Sequence, residues 1–153
     1  MRKIWFFFLF LFLNSSCEPD DVCSEANPST PQLVFRLYDS SQPNELKAVD
    51  TLRIMSLGDQ APLEFINTDS IVFPLQVNAN KINTDLTISN GTRDRIEIDY
   101  LSNDVYLNRA CGFQSTFQIN NIKIDQPSYW VNSIEIVINE VITDTLAHVK
   151  IYH

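Results

Sequence analysis

Basic side chains are scarce in this chain: 11 Lys and Arg stand against 19 Asp and Glu, for a formal net charge of −8 over 153 residues. Nucleic-acid binding needs clustered Lys and Arg to displace phosphate counterions, and no such cluster occurs, so that class is set aside. Histidine occurs only twice, at His148 and His153. Five positions apart on one strand, these point to opposite faces, so they are expected at the surface and cannot share a metal. Two distant cysteines also fall short of zinc's usual four ligands, and no metal or other cofactor is expected. Glycine is down to three residues, and no G-x-S-x-G elbow supports a serine nucleophile. The longest apolar run, Ile4 to Leu13, has ten residues, half of the roughly 20 that a spanning helix needs. What is present is ordinary for one globular domain: 44% hydrophobic and 20% charged residues, too apolar for a disordered chain.

Arg2 and Lys3, the apolar run and then Asn14-Ser15-Ser16-Cys17 form a secretory signal rather than structure. Ser15-Ser16 directly before Cys17 resembles the lipobox of bacterial lipoproteins, where the cysteine becomes the diacylated first residue of the mature chain. Asn14 departs from it, since most lipoboxes carry an aliphatic residue there. The alternative is a secreted protein cleaved near Ser16 with Cys17 as a plain thiol. Glu18-Pro19-Asp20-Asp21 is an acidic spacer that cannot pack and is repelled by anionic headgroups. It resembles the export signal of surface lipoproteins of the Bacteroidota, which implies an outer-membrane lipoprotein facing outward, with a periplasm-facing one as the alternative. The expected organisation is signal peptide 1–16, tether 17–30 with Pro19 and Pro28 holding it extended, and one domain over 31–153.

Lipidation of Cys17 leaves two of the three cysteines, Cys23 and Cys111, which outside the cytoplasm are expected to oxidise to a disulfide. Their separation, 111 − 23 = 88 residues, corresponds to about 4 kcal/mol of stabilisation in the chain-entropy account. Removal of residues 1–16 takes Arg2 and Lys3 away but no acid, so the mature balance is 9 − 19 = −10.

From Pro31 onward the apolar pattern has period two, the signature of half-buried strands. Leu33, Phe35 and Leu37 alternate with Val34, Arg36 and Tyr38, and Ile71-Phe73-Leu75-Val77 and Leu86-Ile88 repeat the pattern. Ile96, Ile98 and Tyr100 share one face while Arg93, Arg95, Glu97 and Asp99 share the other. Asn90-Gly91 predicts a hairpin with a type I′ turn between Thr84–Ser89 and Thr92–Tyr100. Further strands are expected at 105–110, 113–119, 122–125, 133–139 and 143–152, with a turn near Asn139-Glu140. In the stretch 46–57 only the second half reads as strand; the first could open a helical turn after Pro43. Gly112 marks a bend or bulge beside Cys111. The expected fold is an all-β antiparallel sandwich, of which the immunoglobulin-like arrangement is one form.

Reactive constellations are few. Glu97 and Asp99 share a strand face, as a glycosidase pair could, but Arg93 and Arg95 on that face favour both carboxylates ionised, which works against a general acid. Asp20, Asp21 and Glu25 could meet a calcium ion, yet the D-x-[DN]-x-[DN]-G loop is missing. Tyr129 and Trp130 could form an aromatic shelf for a sugar ring; Trp130 is the better candidate for the core, which leaves Tyr129 alone outside.

Several segments together carry a resemblance: Cys17-Glu18-Pro19-Asp20-Asp21-Val22-Cys23, Pro31-Gln32-Leu33 leading to Tyr38-Asp39, Arg109-Ala110-Cys111-Gly112-Phe113, Trp130, and Ala147-His148-Val149-Lys150-Ile151-Tyr152-His153. They resemble the small Bacteroidota lipoproteins grouped as domain of unknown function 6452. The resemblance implies location and a one-domain architecture and supplies no catalytic residue. It agrees with the Cys23–Cys111 pairing, and its terminal His148 and His153 point to a surface site near the carboxyl terminus, for which Tyr129 is a further candidate from its own exposure. The expectation from residues and resemblance together is not an enzyme but a binding or structural accessory module, attached to the membrane through Cys17, with an envelope protein or glycan as partner. The alternatives are a carboxylate-based enzyme of carbohydrate or envelope metabolism, and a glycan- or calcium-binding lipoprotein.

Overall fold

A computed structural model describes residue 23 and residues 29–153. The signal peptide, Cys17 and the acidic residues Asp20, Asp21 and Glu25 lie outside the described residues. The chain falls into two compact units. Of the described residues the smaller unit holds Cys23, Ser29 and residues 106–114, and the larger holds 30–105 and 115–153.

The protein is all-β, a sandwich of two largely antiparallel sheets, with no helix among the described residues. Its strands are β1 (Leu33–Tyr38), β2 (Val49–Ser56), β3 (Leu63–Thr68), β4 (Ser70–Phe73), β5 (Lys81–Ile88), β6 (Arg93–Asn108), β7 (Gly112–Ile124), β8 (Ser133–Ile136), β9 (Glu140–Val141) and β10 (Val149–Tyr152). One sheet has the order β4-β1-β10-β8 and the other β3-β2-β5-β6-β7-β9. In the first, β1 pairs in parallel with β10, Phe35 opposite Val149 and Tyr38 opposite Tyr152, and antiparallel with β4. A parallel pair needs a long crossover. Here the whole six-stranded sheet intervenes in the sequence between the two strands.

Period two places the core as expected. Leu33, Leu37, Ile71 and Ile151 from one sheet and Leu52, Ile54, Ile96, Ile98 and Tyr100 from the other are at most 1% exposed. At about 25 cal/mol per Å² of apolar surface, such side chains stabilise the fold by roughly 1.5–3 kcal/mol each. Tyr100 stacks edge-on against Phe117. Its hydroxyl donates to Gln76 O at 2.9 Å and accepts from Gln76 N at 3.1 Å, so the buried phenol is satisfied.

Several local expectations change. The segments 92–100 and 105–110 fall largely on one 16-residue strand, and 113–119 and 122–125 merge in a 13-residue one. The hairpin at Asn90-Gly91 forms, but the loop is Ser89-Asn90-Gly91 rather than a two-residue type I′ turn: Gly91 N donates to Ile88 O, Ile88 N donates to Thr92 O, and of the three only Gly91 has positive φ, at 84°. This is a type I turn closed by a left-handed glycine, and it needs positive φ at one position instead of two. β3 escaped the sequence reading because it is an edge strand whose residues are all exposed or half-buried, so it carries no clean alternation. β4 stops at Phe73 because Pro74 has no N–H to continue the ladder. The segment 46–48 makes no helical turn; Leu46 forms an isolated bridge to Tyr38.

Candidate functional site

The outward face of β5 and β6 gathers the charges that the alternation put there. Asp85 receives Arg95 through both oxygens, Nε at 2.7 Å and Nη2 at 3.1 Å, with Arg93 at 3.3 Å. The Arg95 guanidinium holds the Asp85 carboxyl below the usual aspartate range, and Asp85 in turn raises Arg95. Register brings Lys81 opposite Asp99. The ammonium reaches Glu97 at 2.9 Å and Asp99 at 3.2 Å, and Lys123 from β7 adds a contact to Glu97 at 3.7 Å. Hydrogen bonds to Glu97 first and Asp99 second raise the Lys81 pKa, so it stays charged between them. Both carboxylates are held by one lysine, so neither is free to meet a glycosidic oxygen, a poor arrangement for glycoside cleavage. Beside them a shallow groove of about 340 Å³ is lined by Met55, Leu57, Asn83, Asp85, Arg95 and Asp125.

The residues expected to make a surface site near the carboxyl terminus do not assemble as one. His148 is a correction: it is 1% exposed, not a surface residue. Its backbone N donates to Val34 O at 3.0 Å while its ring Nδ1 accepts from Val34 N at 3.0 Å. Its carbonyl accepts from Val137 N and Ile138 N. Burial lowers its pKa, opposed by the hydrogen bond to the Thr143 backbone and by the Asp144 charge, so the ring is neutral. His148 therefore joins β1 to the segment after β8, immediately before β10. His153 closes the other end: its N donates to Tyr38 O, its O accepts from Ser40 N at 3.1 Å and Lys47 Nζ at 2.9 Å, and its ring meets Trp130 edge-on at 5.6 Å. Trp130 is in the core, its indole N–H donating to Leu86 O at 3.1 Å, and Tyr129 is 70% exposed. The two lie in a loop rather than on a strand.

Asp94 was not singled out from sequence. It is 2% exposed and accepts three backbone N–H bonds, from Tyr129 at 2.7 Å, Trp130 at 2.8 Å and Val131 at 2.7 Å. The signal was its parity: Asp94 falls on the inward face with Ile96, Ile98 and Tyr100. An acid there has to find donors, and the loop that carries Trp130 supplies them.

Cys23 and Cys111 form a disulfide, with Cα atoms 5.0 Å apart. Cys111 sits in the loop between β6 and β7, where its N donates to Asn108 Oδ1 at 2.7 Å and Gly112 takes φ of 71°. No group of three or more His, Cys, Asp or Glu able to hold a metal occurs among the described residues, and no described helix is long and apolar enough to cross a membrane.

These features define a small disulfide-bonded β-sandwich whose charged face is internally neutralised. The model of a family of unknown function, DUF6452, matches residues 51–153, and the chain belongs to that family. The match takes in Arg109–Phe113, Trp130 and Ala147–His153, whereas Cys17–Cys23 and Pro31–Asp39 precede it. No curated protein and no solved structure was found to match the chain.

Proposed function

We propose that the protein is a lipid-anchored accessory module of the Bacteroidota outer membrane, exposed at the cell surface, that binds or positions another envelope component. The observation that carries this reading is the β3 edge. No strand pairs with its outer side among the described residues, and it exposes Leu63 and, at 71%, Ile66. Edge strands of this kind accept a partner strand through main-chain hydrogen bonds, with side-chain pockets setting specificity. The matched charges of the β5–β6 face support a binding role over a catalytic one, because Glu97 and Asp99 are both committed to Lys81.

The test has two arms. Metabolic labelling with a palmitate analogue should depend on Cys17, being lost in Cys17→Ala, and protease added to intact cells should remove the protein. A photo-crosslinking residue at Ile66 should capture an envelope component that the same probe at exposed Ser89 does not. Equal capture at both positions, or capture of nothing but the protein itself, counts against the β3 edge as a docking surface.

A further inference from the structure

The end of the β6–β7 hairpin presents two aromatic side chains to solvent. Tyr106 is 58% and Phe113 69% exposed, and their rings pack on each other at 5.3 Å and 63°. Fixing two large rings side by side in water leaves an apolar patch that the fold does not need. Their position is tied by covalent chemistry. Phe113 is two residues from Cys111, which is bonded to Cys23. Cys23 follows Cys17 by 23 − 17 = 6 residues, at most about 20 Å of extended chain. Residues 106–114 contain no acid, in a chain with 19 acidic and 11 basic residues.

From this juxtaposition we infer that the Tyr106–Phe113 tip is a membrane-contact element that seats in the headgroup boundary of the bilayer holding the lipidated Cys17. The inference rests on the lipid-anchor reading proposed above and adds to it a second point of contact with the bilayer. Tyrosine's amphipathic ring suits the zone between headgroups and acyl chains, and phenylalanine adds apolar surface to the same wedge. Residues 106–114 contain no acid for anionic headgroups to repel. Seating the tip there adds a second point of attachment to the lipid at Cys17. A second copy of the chain or another protein could cover the same rings, and the test separates these from lipid.

The lipidated protein is reconstituted in phosphatidylcholine and phosphatidylglycerol vesicles, with and without lipids brominated near the headgroup end of the acyl chains. Wild type provides the reference, because Trp130 is buried and Trp5 leaves with the signal peptide. Phe113→Trp, and independently Tyr106→Trp, should shift emission to the blue and lose more than about half of it in brominated vesicles, as an indole at the interface does, while wild-type emission is unchanged. Label at Cys17 with no quenching in either variant overturns the tip inference and leaves the anchor standing. A blue shift without quenching that grows with protein concentration overturns it in favour of a protein contact. Failure to label at Cys17 refutes the anchor reading itself, and the tip inference falls with it.

Discussion

The carboxylate of Asp94 is the perturbation with the largest expected effect on stability. In Asp94→Ala three backbone N–H groups, those of Tyr129, Trp130 and Val131, lose their acceptors at once. The bonds to Trp130 and Val131 are buried, and the one to Tyr129 is partly exposed and can turn to water. A buried polar group left unsatisfied costs about 1–3 kcal/mol, so two of them give a loss of roughly 2–6 kcal/mol before any relaxation. A domain of this size has about 5–15 kcal/mol in total. Asp94→Asn separates the contributions. Its single carbonyl oxygen can take the place of Oδ2, which accepts from both Trp130 and Val131, while its amide group faces the Tyr129 N–H. Only the partly exposed Tyr129 N–H then loses its acceptor, and the expected cost is about 1 kcal/mol. Urea denaturation followed by Trp130 emission measures both: the midpoint should drop in the order wild type, Asn, Ala, with the slope unchanged. The reasoning is refuted if Asp94→Ala loses less than about 1 kcal/mol, the worth of one ordinary exposed hydrogen bond, or if Asn and Ala cost the same.

Three further outcomes are expected. His148 has its pKa lowered by burial, so the unfolded chain takes up the proton first; the stability this ring contributes is present above about pH 6.5 and is lost as pH falls through the folded value. Between about pH 7 and pH 5 the wild type should lose stability in urea titrations, and His148→Gln, which keeps an acceptor for Val34 N–H without titrating there, should flatten that slope. Removing the Cys23–Cys111 bond by Cys111→Ser should lower stability by about 4 kcal/mol in the chain-entropy account, and calorimetry on oxidised wild type against the variant reads it; equal melting curves would show that the closed loop constrains nothing. Gly91→Ala should cost about 1 kcal/mol although a Cβ there meets no atom within 4 Å, because the positive φ alone is the obstacle. Gly91→Asn should recover part of that loss in the same denaturation assay.

Much of the architecture was legible from residue types. Period-two alternation located the inward faces of β1, β5 and the first half of β6, because a strand with one buried face must alternate. Asn90-Gly91 located the β5–β6 turn, though the type of turn was decided by pairing register, which two residues do not encode. β3 was illegible because an edge strand with no fully buried residue has no alternation to show. The charged face was legible as a face, Arg93, Arg95, Glu97 and Asp99 lying on one parity, but its neutralisation was not. Asp85 and Lys81 reach it from the neighbouring strand and Lys123 from β7.

The sequence by itself determined the class, strands rather than helices, and the acidic balance of the chain, 19 acidic against 11 basic side chains. Both follow from local periodicity and side-chain counts. Only the tertiary structure decided what the buried polar groups do. The Val34–His148 bond spans 114 positions and the Asp94 bonds span 35 to 37. A histidine next to a terminal strand reads as surface until β1 is laid parallel beside β10, and an inward aspartate reads as a fault in the pattern until a loop presents three N–H groups to it. Burying a polar group is tolerated only where its partners arrive. Here those partners come from segments that only the folded chain brings together.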